Sequence, residues 1–223
     1  TTPSKPVPDY PSHINAGVKG IKIGIPREYY ALGIDSVIKD KTKKALDELE
    51  KLGAHLIGIS LPHTKYAIAC YYIVQPAEVS SNLARYDGIR YGNGRESFGD
   101  EAKRRIMLGT YVLSSGYYDA YYRRAVAART LLTADFIAAF RQVDAVVTPT
   151  TPTVAFALGE KAADPLQMYL ADVFTVPANI AGLPALSLPE GTDETGLPCG
   201  FQFIAPLYRE DLLFHLGHQH ANL

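Results

Sequence analysis

The sequence predicts an α/β fold, because short apolar strand patterns alternate with helical patterns along the chain. Residues 20–26 alternate apolar and other side chains with a period of two, which is typical of a strand. Residues 37–52 have one apolar face and predict a helix, with Ser36 as a candidate N-cap and Gly53 at the end. Residues 55–61 form the next predicted strand, so these two strands are expected to be parallel with a right-handed connection.

The middle of the chain predicts helices. Residues 64–85 have a mostly helical pattern, and Pro76 is expected to kink or divide that helix. A long helical region covers residues 101–143, and Gly116 is expected to split it into residues 101–115 and 117–142. The second part is amphipathic, with apolar side chains at spacings of three and four, namely Tyr121, Ala125, Ala128, Leu132, Phe136 and Phe140.

Residues 143–189 return to the strand–loop–helix–strand order of an α/β domain. Residues 143–147 predict a buried strand, and Pro149 and Pro152 predict that the chain then leaves the sheet as a loop. Residues 165–180 predict a helix, and residues 185–188 a second short strand that ends at Pro189. Function in such domains usually lies at the loops that leave the strands, so Asp172 is a candidate functional residue. A strand over 200–204 and a helix over 209–220 close the chain.

Composition fits a globular protein and excludes several classes. The chain has 223 residues, 47% of them hydrophobic and 20% charged, with a net charge of −1, so nothing marks the whole surface as a nucleic-acid binder. Residues 1–19 are expected to be a linker or arm, because residues 1–12 are rich in proline and serine, and residues 20–223 the folded part. No apolar run approaches a membrane span, and the start does not resemble a signal peptide. Cys70 and Cys199 lie far apart without metal-type spacing, which favours a reducing compartment and buried thiols that pack as small hydrophobic side chains.

No strong free-standing catalytic or metal motif is present, so no catalytic residue and no metal ligand is predicted. The lysines of the helix over 37–52 favour a solvated face over a nucleic-acid patch. The group His215, His218 and His220 favours exposed polar helix surface over metal ligation. The pairs Ser80–Ser81 and Ser114–Ser115 lack a nearby residue that would activate a nucleophile.

Several segments share one resemblance. They are residues 71–73, 80–92, 103–110, 115–122, 164–169 and 177–184. Together they closely resemble the amidase-signature family, and within it the A subunits of amidotransferases that act on glutamyl-tRNA(Gln) or aspartyl-tRNA(Asn). The resemblance covers nearly all of the chain after the first residues. It implies a mixed β-sheet surrounded by helices, of which this chain is expected to be the C-terminal portion.

The resemblance also implies what the chain lacks. The family uses a Lys, a Ser held by a cis peptide and a nucleophilic Ser in a Gly/Ser-rich region that precedes the matched part. This sequence contains no such stretch, so the chain alone is expected to be inactive. The segment between Tyr91 and Arg105 is also shorter than is usual in the family.

Three positions match the family's glutamine contacts. Arg105 resembles the residue that binds the α-carboxylate, Asp172 the partner of the α-ammonium, and Tyr71 a further wall of the pocket. A free amino acid is a zwitterion, so its pocket needs one fixed cation and one fixed anion, and arginine can bind a carboxylate in two places. Structural ion-pair roles for Arg105 and Asp172 are the alternative.

The implied function is that of a glutaminase subunit. In the whole enzyme, glutamine hydrolysis supplies ammonia to a B subunit, which uses ATP and Mg²⁺ to amidate Glu-tRNA(Gln) or Asp-tRNA(Asn), and a small C subunit completes the complex. No cofactor is expected in this chain, and the compartment is cytoplasmic or an organelle matrix. Two alternatives remain open: part of another amidase-signature hydrolase that acts on a simple amide, or an assembly module without chemistry.

Overall fold

The computed structural model describes residues 4–30, 33–161 and 165–222. Its sheet has five strands in the order β2-β1-β3-β5-β4. The strands are β1 (Lys22–Pro26), β2 (His55–Ile59), β3 (Ala145–Pro149), β4 (Ala185–Thr192) and β5 (Pro198–Ile204). Strands β2, β1 and β3 are parallel, whereas β5 runs antiparallel to both β3 and β4. The sheet is therefore mixed, as the sequence resemblance predicted.

Helices cover both faces of this sheet. They are α1 (Tyr10–His13), α2 (Arg27–Tyr30), α3 (Ser36–Lys51), α4 (Ala67–Leu83), α5 (Asp100–Val112), α6 (Arg123–Ala139), α7 (Pro165–Leu170), α8 (Val176–Ala181) and α9 (Glu210–Ala221). Thr64–Tyr66 and Arg95–Ser97 form short 3₁₀ turns, and Tyr118–Tyr122 forms a π-helical turn. One apolar cluster joins α4, α6 and α8 to the sheet, and a second joins α3 and α9 to it.

The predicted strand–helix–strand unit is confirmed. β1 and β2 pair in parallel, with Lys22 opposite His55. Helix α3 buries one apolar face that includes Ala45 and Leu49, as its apolar spacing requires. The residue that precedes the helix is Asp35 rather than Ser36, and it makes no side-chain capping hydrogen bond.

Two prolines belong to strands. Pro149 ends β3, which confirms that the chain leaves the sheet there, whereas Pro189 lies inside β4, which corrects the expectation that it ends that strand. Pro149 is the last residue of β3, and all five residues of β3 are buried. The amide of Thr150 donates to Gly200 of β5, so the nitrogen of Pro149 points towards β1, where pairing has already ended at Val146. Pro189 lies within β4, an edge strand, where a missing amide donor is tolerated.

Two helix predictions also need correction. Pro76 does not divide α4, which runs without a break from Ala67 to Leu83, and Pro76 is buried there. The alternative expectation, that Pro76 kinks the helix, stays a prediction. The backbone of Pro76 packs closely against Gly109 of α5. The single helix predicted over 165–180 is instead α7 and α8 joined by turns, because Pro177 begins a new helix. Gly116, with φ +86°, does separate α5 from the following helix.

The N-terminal arm contacts helix α9. Residues 4–9 have no helix or strand, and α1 follows as a single turn. The ring of Tyr10 lies 5.1 Å from that of Phe214 in an edge-on arrangement, and Asn15 contacts His218 at 3.0 Å. The predicted boundary at residue 19 stays a prediction, and residues 1–3 of the arm lie outside the described residues. No helix in the described part of the chain has the length and apolar character needed to cross a membrane.

Candidate functional site

A cleft of about 330 Å³ lies between helices α4, α5 and α7. Its walls are Tyr72, Glu101, Arg104, Arg105, Lys161, Met168, Tyr169 and Asp172. Arg105 projects from α5, and Asp172 lies in the turns between α7 and α8. The break between those two helices therefore places the carboxylate of Asp172 at the same cleft as the guanidinium of Arg105.

Side chains of two helices fix the guanidinium of Arg105. Its Nε donates to Glu101 Oε1 at 2.8 Å, from one turn earlier on α5. Its Nη1 donates to Gln75 Oε1 at 2.8 Å and to Tyr71 Oη at 3.3 Å, both on α4. The Arg105 side chain is only 21% exposed, so these contacts are shielded from solvent more than those of a typical surface arginine.

Aromatic rings and charge also favour the cation at Arg105. The guanidinium carbon lies 5.9 Å from the ring centre of Tyr71 and 5.4 Å from that of Tyr72. Tyr72 in turn packs on Tyr169 with a ring-centre distance of 3.9 Å. Burial alone lowers the pKa of Arg105, but hydrogen bonds to Glu101 and Tyr71 and their charges outweigh it and hold the pKa above its ordinary value. Arg105 is thus a permanent cation.

Asp172 supplies the opposite charge. It keeps contact with solvent at the cleft, yet partial burial raises the pKa of its carboxyl, while the charge of Arg105 opposes that rise. Its backbone amide donates to the carbonyl of Tyr169 at 3.1 Å. Two residues later, the carbonyl of Phe174 accepts a hydrogen bond at 2.8 Å from the buried side chain of Gln202. This bond ties the segment that carries Asp172 to the sheet.

The three residues predicted from the sequence lie close together, but they do not all line the same cleft. Arg105 and Asp172 line the same cleft. Tyr71 contacts Arg105, but its other neighbours form an adjoining hollow of about 200 Å³ that also includes Gln75 and Arg129. The aromatic wall of the cleft itself is Tyr72.

Sequence reasoning missed the side chains that hold Arg105. Glu101 precedes Arg105 by one helical turn, and that spacing between opposite charges is a usable signal. Gln75 follows Tyr71 by one turn of α4, but nothing in the sequence indicates that α4 and α5 pack together at this level. Lys161 was also missed, because residues 153–161 have no helical or strand pattern.

The cleft suits a small molecule that carries both charges. Arg104, Arg105 and Lys161 provide three cations, and Glu101 and Asp172 provide two carboxylates. Among the described lining residues there is no serine, cysteine or histidine that would act as a nucleophile or general base. The described lining residues thus combine both signs of charge, as recognition of a zwitterion requires, and include no hydroxyl–base or thiol–base pair of the Ser–His or Cys–His kind.

A second polar cluster lies away from the cleft, and it corrects one expectation. His215 and His220 are buried, not exposed helix surface, and burial lowers the pKa of His215. His220 Nε2 lies 3.0 Å from Glu190 Oε2, and Glu48 completes a group whose ligand atoms lie within 4.8 Å of one another. Lys44 Nζ lies 2.8 Å from Glu190 Oε1, so an ammonium already supplies the positive charge that a metal ion would bring.

Comparison with known sequences shows the family. Residues 1–214 match the sequence profile of the family described as Amidase. The A subunit of a glutamyl-tRNA(Gln) amidotransferase from Myxococcus xanthus is 51% identical, over 97% of this chain and 48% of that protein. The corresponding subunit from Maricaulis maris is 53% identical, over 95% of this chain and 46% of that protein. The chain thus spans about half the length of the curated relatives it matches.

Solved structures agree with this fold. The crystal structure of the glutamyl-tRNA(Gln) amidotransferase A subunit from Thermotoga maritima superposes with a TM-score of 0.79 at 40% identity, over 98% of this chain and 45% of that one. A bacterial aryl acylamidase of the amidase-signature family superposes with a TM-score of 0.74 at 21% identity, over 96% of this chain and 46% of that one, and shows the fold alone. From the profile match, the mixed sheet and these superpositions, this chain belongs to the amidase family.

Proposed function

We propose that this chain forms the amino-acid-binding part of a glutaminase subunit of a tRNA-dependent amidotransferase. The observation that carries the proposal is the pair of opposite charges, Arg105 and Asp172, on one small cleft. The α-carboxylate of glutamine binds Arg105, and its α-ammonium binds Asp172. The side-chain amide then points away from both charges, towards catalytic groups that the described residues of this cleft do not provide.

Identity at about half of the aligned positions to A subunits of such enzymes supports this choice of enzyme class. In the proposed complex, a Ser–cis-Ser–Lys triad outside this chain hydrolyses glutamine, and a B subunit with ATP and Mg²⁺ uses the ammonia to amidate Glu-tRNA(Gln) or Asp-tRNA(Asn). A small C subunit completes the assembly. The chain alone binds glutamine without hydrolysing it.

Three ligands of similar length test the zwitterion clamp. L-Glutamine has both charged groups, glutaramate lacks the ammonium, and γ-aminobutyramide lacks the carboxylate. We expect the chain to bind L-glutamine more tightly than either analogue in a nuclear magnetic resonance titration. Loss of one partner of a desolvated charge pair weakens binding by about 2–5 kcal/mol. Because Asp172 is exposed, we expect the loss for glutaramate, which lacks the ammonium, to lie at the lower end of this range.

Variants separate the proposal from its alternatives. Arg105→Ala should remove the preference for L-glutamine over γ-aminobutyramide, whereas Arg123→Ala, which removes an exposed arginine paired with Asp119, should not. Equal affinity of the parent chain for γ-aminobutyramide and L-glutamine would indicate a hydrolase for simple amides. No binding of any of the three ligands, together with capture of the B and C subunits, would indicate an assembly module.

A further inference from the structure

Gln75 lies behind Arg105 and does not line the cleft. It occupies α4, one turn after Tyr71, and its Oε1 accepts a hydrogen bond from Arg105 Nη1 at 2.8 Å. A guanidinium group only donates hydrogen bonds, so the amide oxygen is the atom that faces it. Gln75 is partly buried and lines the adjoining hollow with Tyr71, so it influences the cleft only through Arg105.

The donors of Arg105 are divided between protein and cleft. Glu101 accepts from Nε, while Gln75 and Tyr71 both accept from Nη1. The Tyr72 hydroxyl also pairs with the Arg105 side chain. The bonds from Nε and Nη1 fix the plane and rotation of the guanidinium, and Nη2 takes part in none of these three bonds, so it remains for a ligand carboxylate.

The lack of charge on Gln75 matters as much as its position. A carboxylate at this place would accept the same hydrogen bond, but it would also pair with the guanidinium and compensate its positive charge. Glu101 already provides one such carboxylate, at 2.8 Å from Nε. A second one would surround the cation with negative charge and repel the carboxylate of a ligand.

We propose that Gln75 is a positioning and specificity-determining residue: it orients Arg105 for a ligand carboxylate and, because it is uncharged, leaves the positive charge available to that ligand. The inference rests on the proposed function, since it assumes that Arg105 binds the carboxylate of glutamine. It predicts that a change of charge at residue 75 alters the choice of ligand, not only the stability of the fold.

Gln75→Glu tests this inference, because glutamate has nearly the same shape as glutamine and adds only a charge. We expect the affinity for L-glutamine and for glutaramate to fall about tenfold or more in the titration. The affinity for γ-aminobutyramide, which has no carboxylate, should stay the same or rise. The melting temperature should change little, because the new ion pair with Arg105 offsets the cost of placing a carboxylate at this partly buried position.

Asn82→Asp is the matched control. It adds the same charge in an equally conservative way, two turns further along α4, where Asn82 is exposed and does not line the cleft. We expect this variant to bind all three ligands as the parent chain does. A similar loss in both variants would mean that the added charge acts at long range, and this would overturn the role of Gln75.

The outcomes distinguish failure of the inference from failure of the proposed function. If the parent chain does not prefer L-glutamine, the clamp itself is wrong, and the role of Gln75 fails with it. If the parent chain has that preference but Gln75→Glu keeps it, or loses affinity equally for γ-aminobutyramide, the clamp stands and the inference about Gln75 is overturned. A selective loss for the two carboxylate ligands supports both.

Discussion

Gln202 donates a hydrogen bond from its side chain to the backbone carbonyl of Phe174 across 2.8 Å. Gln202 belongs to β5 and is only 4% exposed, and the same Nε2 atom lies 3.0 Å from the hydroxyl of Thr148 in β3. One buried amide therefore connects two strands of the sheet to the irregular segment that carries Asp172. This segment has no helix or strand of its own to fix it, so the position of Asp172 depends on such contacts.

The first prediction concerns this anchor. Gln202→Leu removes the donor and leaves the carbonyl of Phe174 buried without a partner, which costs about 1–3 kcal/mol of folding stability. Urea unfolding, followed by circular dichroism, measures the loss. Gln142→Leu is the control, because Gln142 is exposed and its only side-chain contact among the described residues is a long one, at 3.5 Å. Equal stability of the two variants would show that Gln202 does not anchor the segment.

The second prediction concerns the packing of α4 against α5. A β-carbon at Gly109 would lie 1.8 Å from the carbonyl oxygen of Pro76, which is backbone and cannot move aside alone. Gly109→Ala must therefore push the two helices apart, and we expect a loss of about 1–3 kcal/mol or more in urea unfolding. Arg105 lies one turn before Gly109 on the same helix, so binding of L-glutamine should also weaken.

Gly99→Ala is the control for that prediction. Gly99 precedes α5 with φ −65°, and no atom lies within reach of an added β-carbon. This variant should bind like the parent chain and lose no more than about 1 kcal/mol of stability, because alanine is a poorer N-cap than glycine. If Gly109→Ala were as stable as Gly99→Ala, the close approach of α5 to Pro76 would not exist in solution.

Periodicity in the sequence was sufficient to predict most of the sheet and its parallel unit. The period-two pattern before Pro26 predicts β1, and the amphipathic pattern over residues 37–52 predicts α3. Both elements follow from the order of neighbouring residues and need no information about the tertiary fold. Pro189 was misjudged because a proline is excluded only where its nitrogen faces a paired strand, and only the tertiary fold makes β4 an edge strand. Pro76 was expected to kink or divide its helix, but α4 is unbroken at the place where α5 packs closely against it.

The candidate site was predicted less completely. Asp172 was a candidate from its place in the run over 143–189, but its role and the pairing with Arg105 came from the family resemblance, because their spacing of many residues contains no physical signal by itself. The contacts between Gln75 and Arg105 and between Gln202 and Phe174 join distant segments, and uncharged amides have no charge pattern that would reveal a partner. Tyr71 and Tyr72 are adjacent on α4 and face different hollows, a distinction that only the packing of the helix decides.

The third prediction follows from the raised pKa of Asp172. Partial burial raises the pKa of this carboxyl in the folded chain above its value in the unfolded chain, although Arg105 opposes the shift. The folded state therefore binds the proton more tightly, and ionisation of Asp172 lowers stability as the pH rises through the folded pKa. Asp172→Asn cannot ionise, so at neutral pH its melting temperature should equal or exceed that of the parent chain, and the difference should shrink in acid.

Ligand affinity should depend on pH in the opposite way to folding stability. The ionised carboxylate of Asp172 attracts the ammonium group of a ligand, so the affinity of the parent chain for γ-aminobutyramide should fall as the pH drops through the pKa of Asp172. The Asp172→Asn variant should bind this ligand weakly at every pH. A pH-independent affinity in the parent chain, measured by the same titration, would contradict a role for Asp172 in ammonium binding.

The fourth prediction concerns Glu101, which competes with a ligand for Arg105. Its Oε1 accepts from Arg105 Nε at 2.8 Å, and its Oε2 accepts from Arg104 Nη1 at 2.6 Å. Nε and Nη2 form one edge of the guanidinium, and a carboxylate that binds this edge in two places must displace Glu101 from Nε. The side chain of Glu101 is 49% exposed, so solvent weakens its pairing and displacement is possible.

Glu101→Gln should therefore increase the affinity for glutaramate by up to about fivefold, the range expected for removal of an exposed ion pair. Affinity for γ-aminobutyramide should stay constant, because this ligand does not use the arginine. Asp100→Asn removes one charge from the neighbouring position on α5, outside the cleft, and should alter neither affinity. Weaker glutaramate binding by Glu101→Gln would show that the orienting contact of Glu101 with Arg105 outweighs its competition with the ligand, because loss of an orienting contact and loss of a competitor change the affinity in opposite directions.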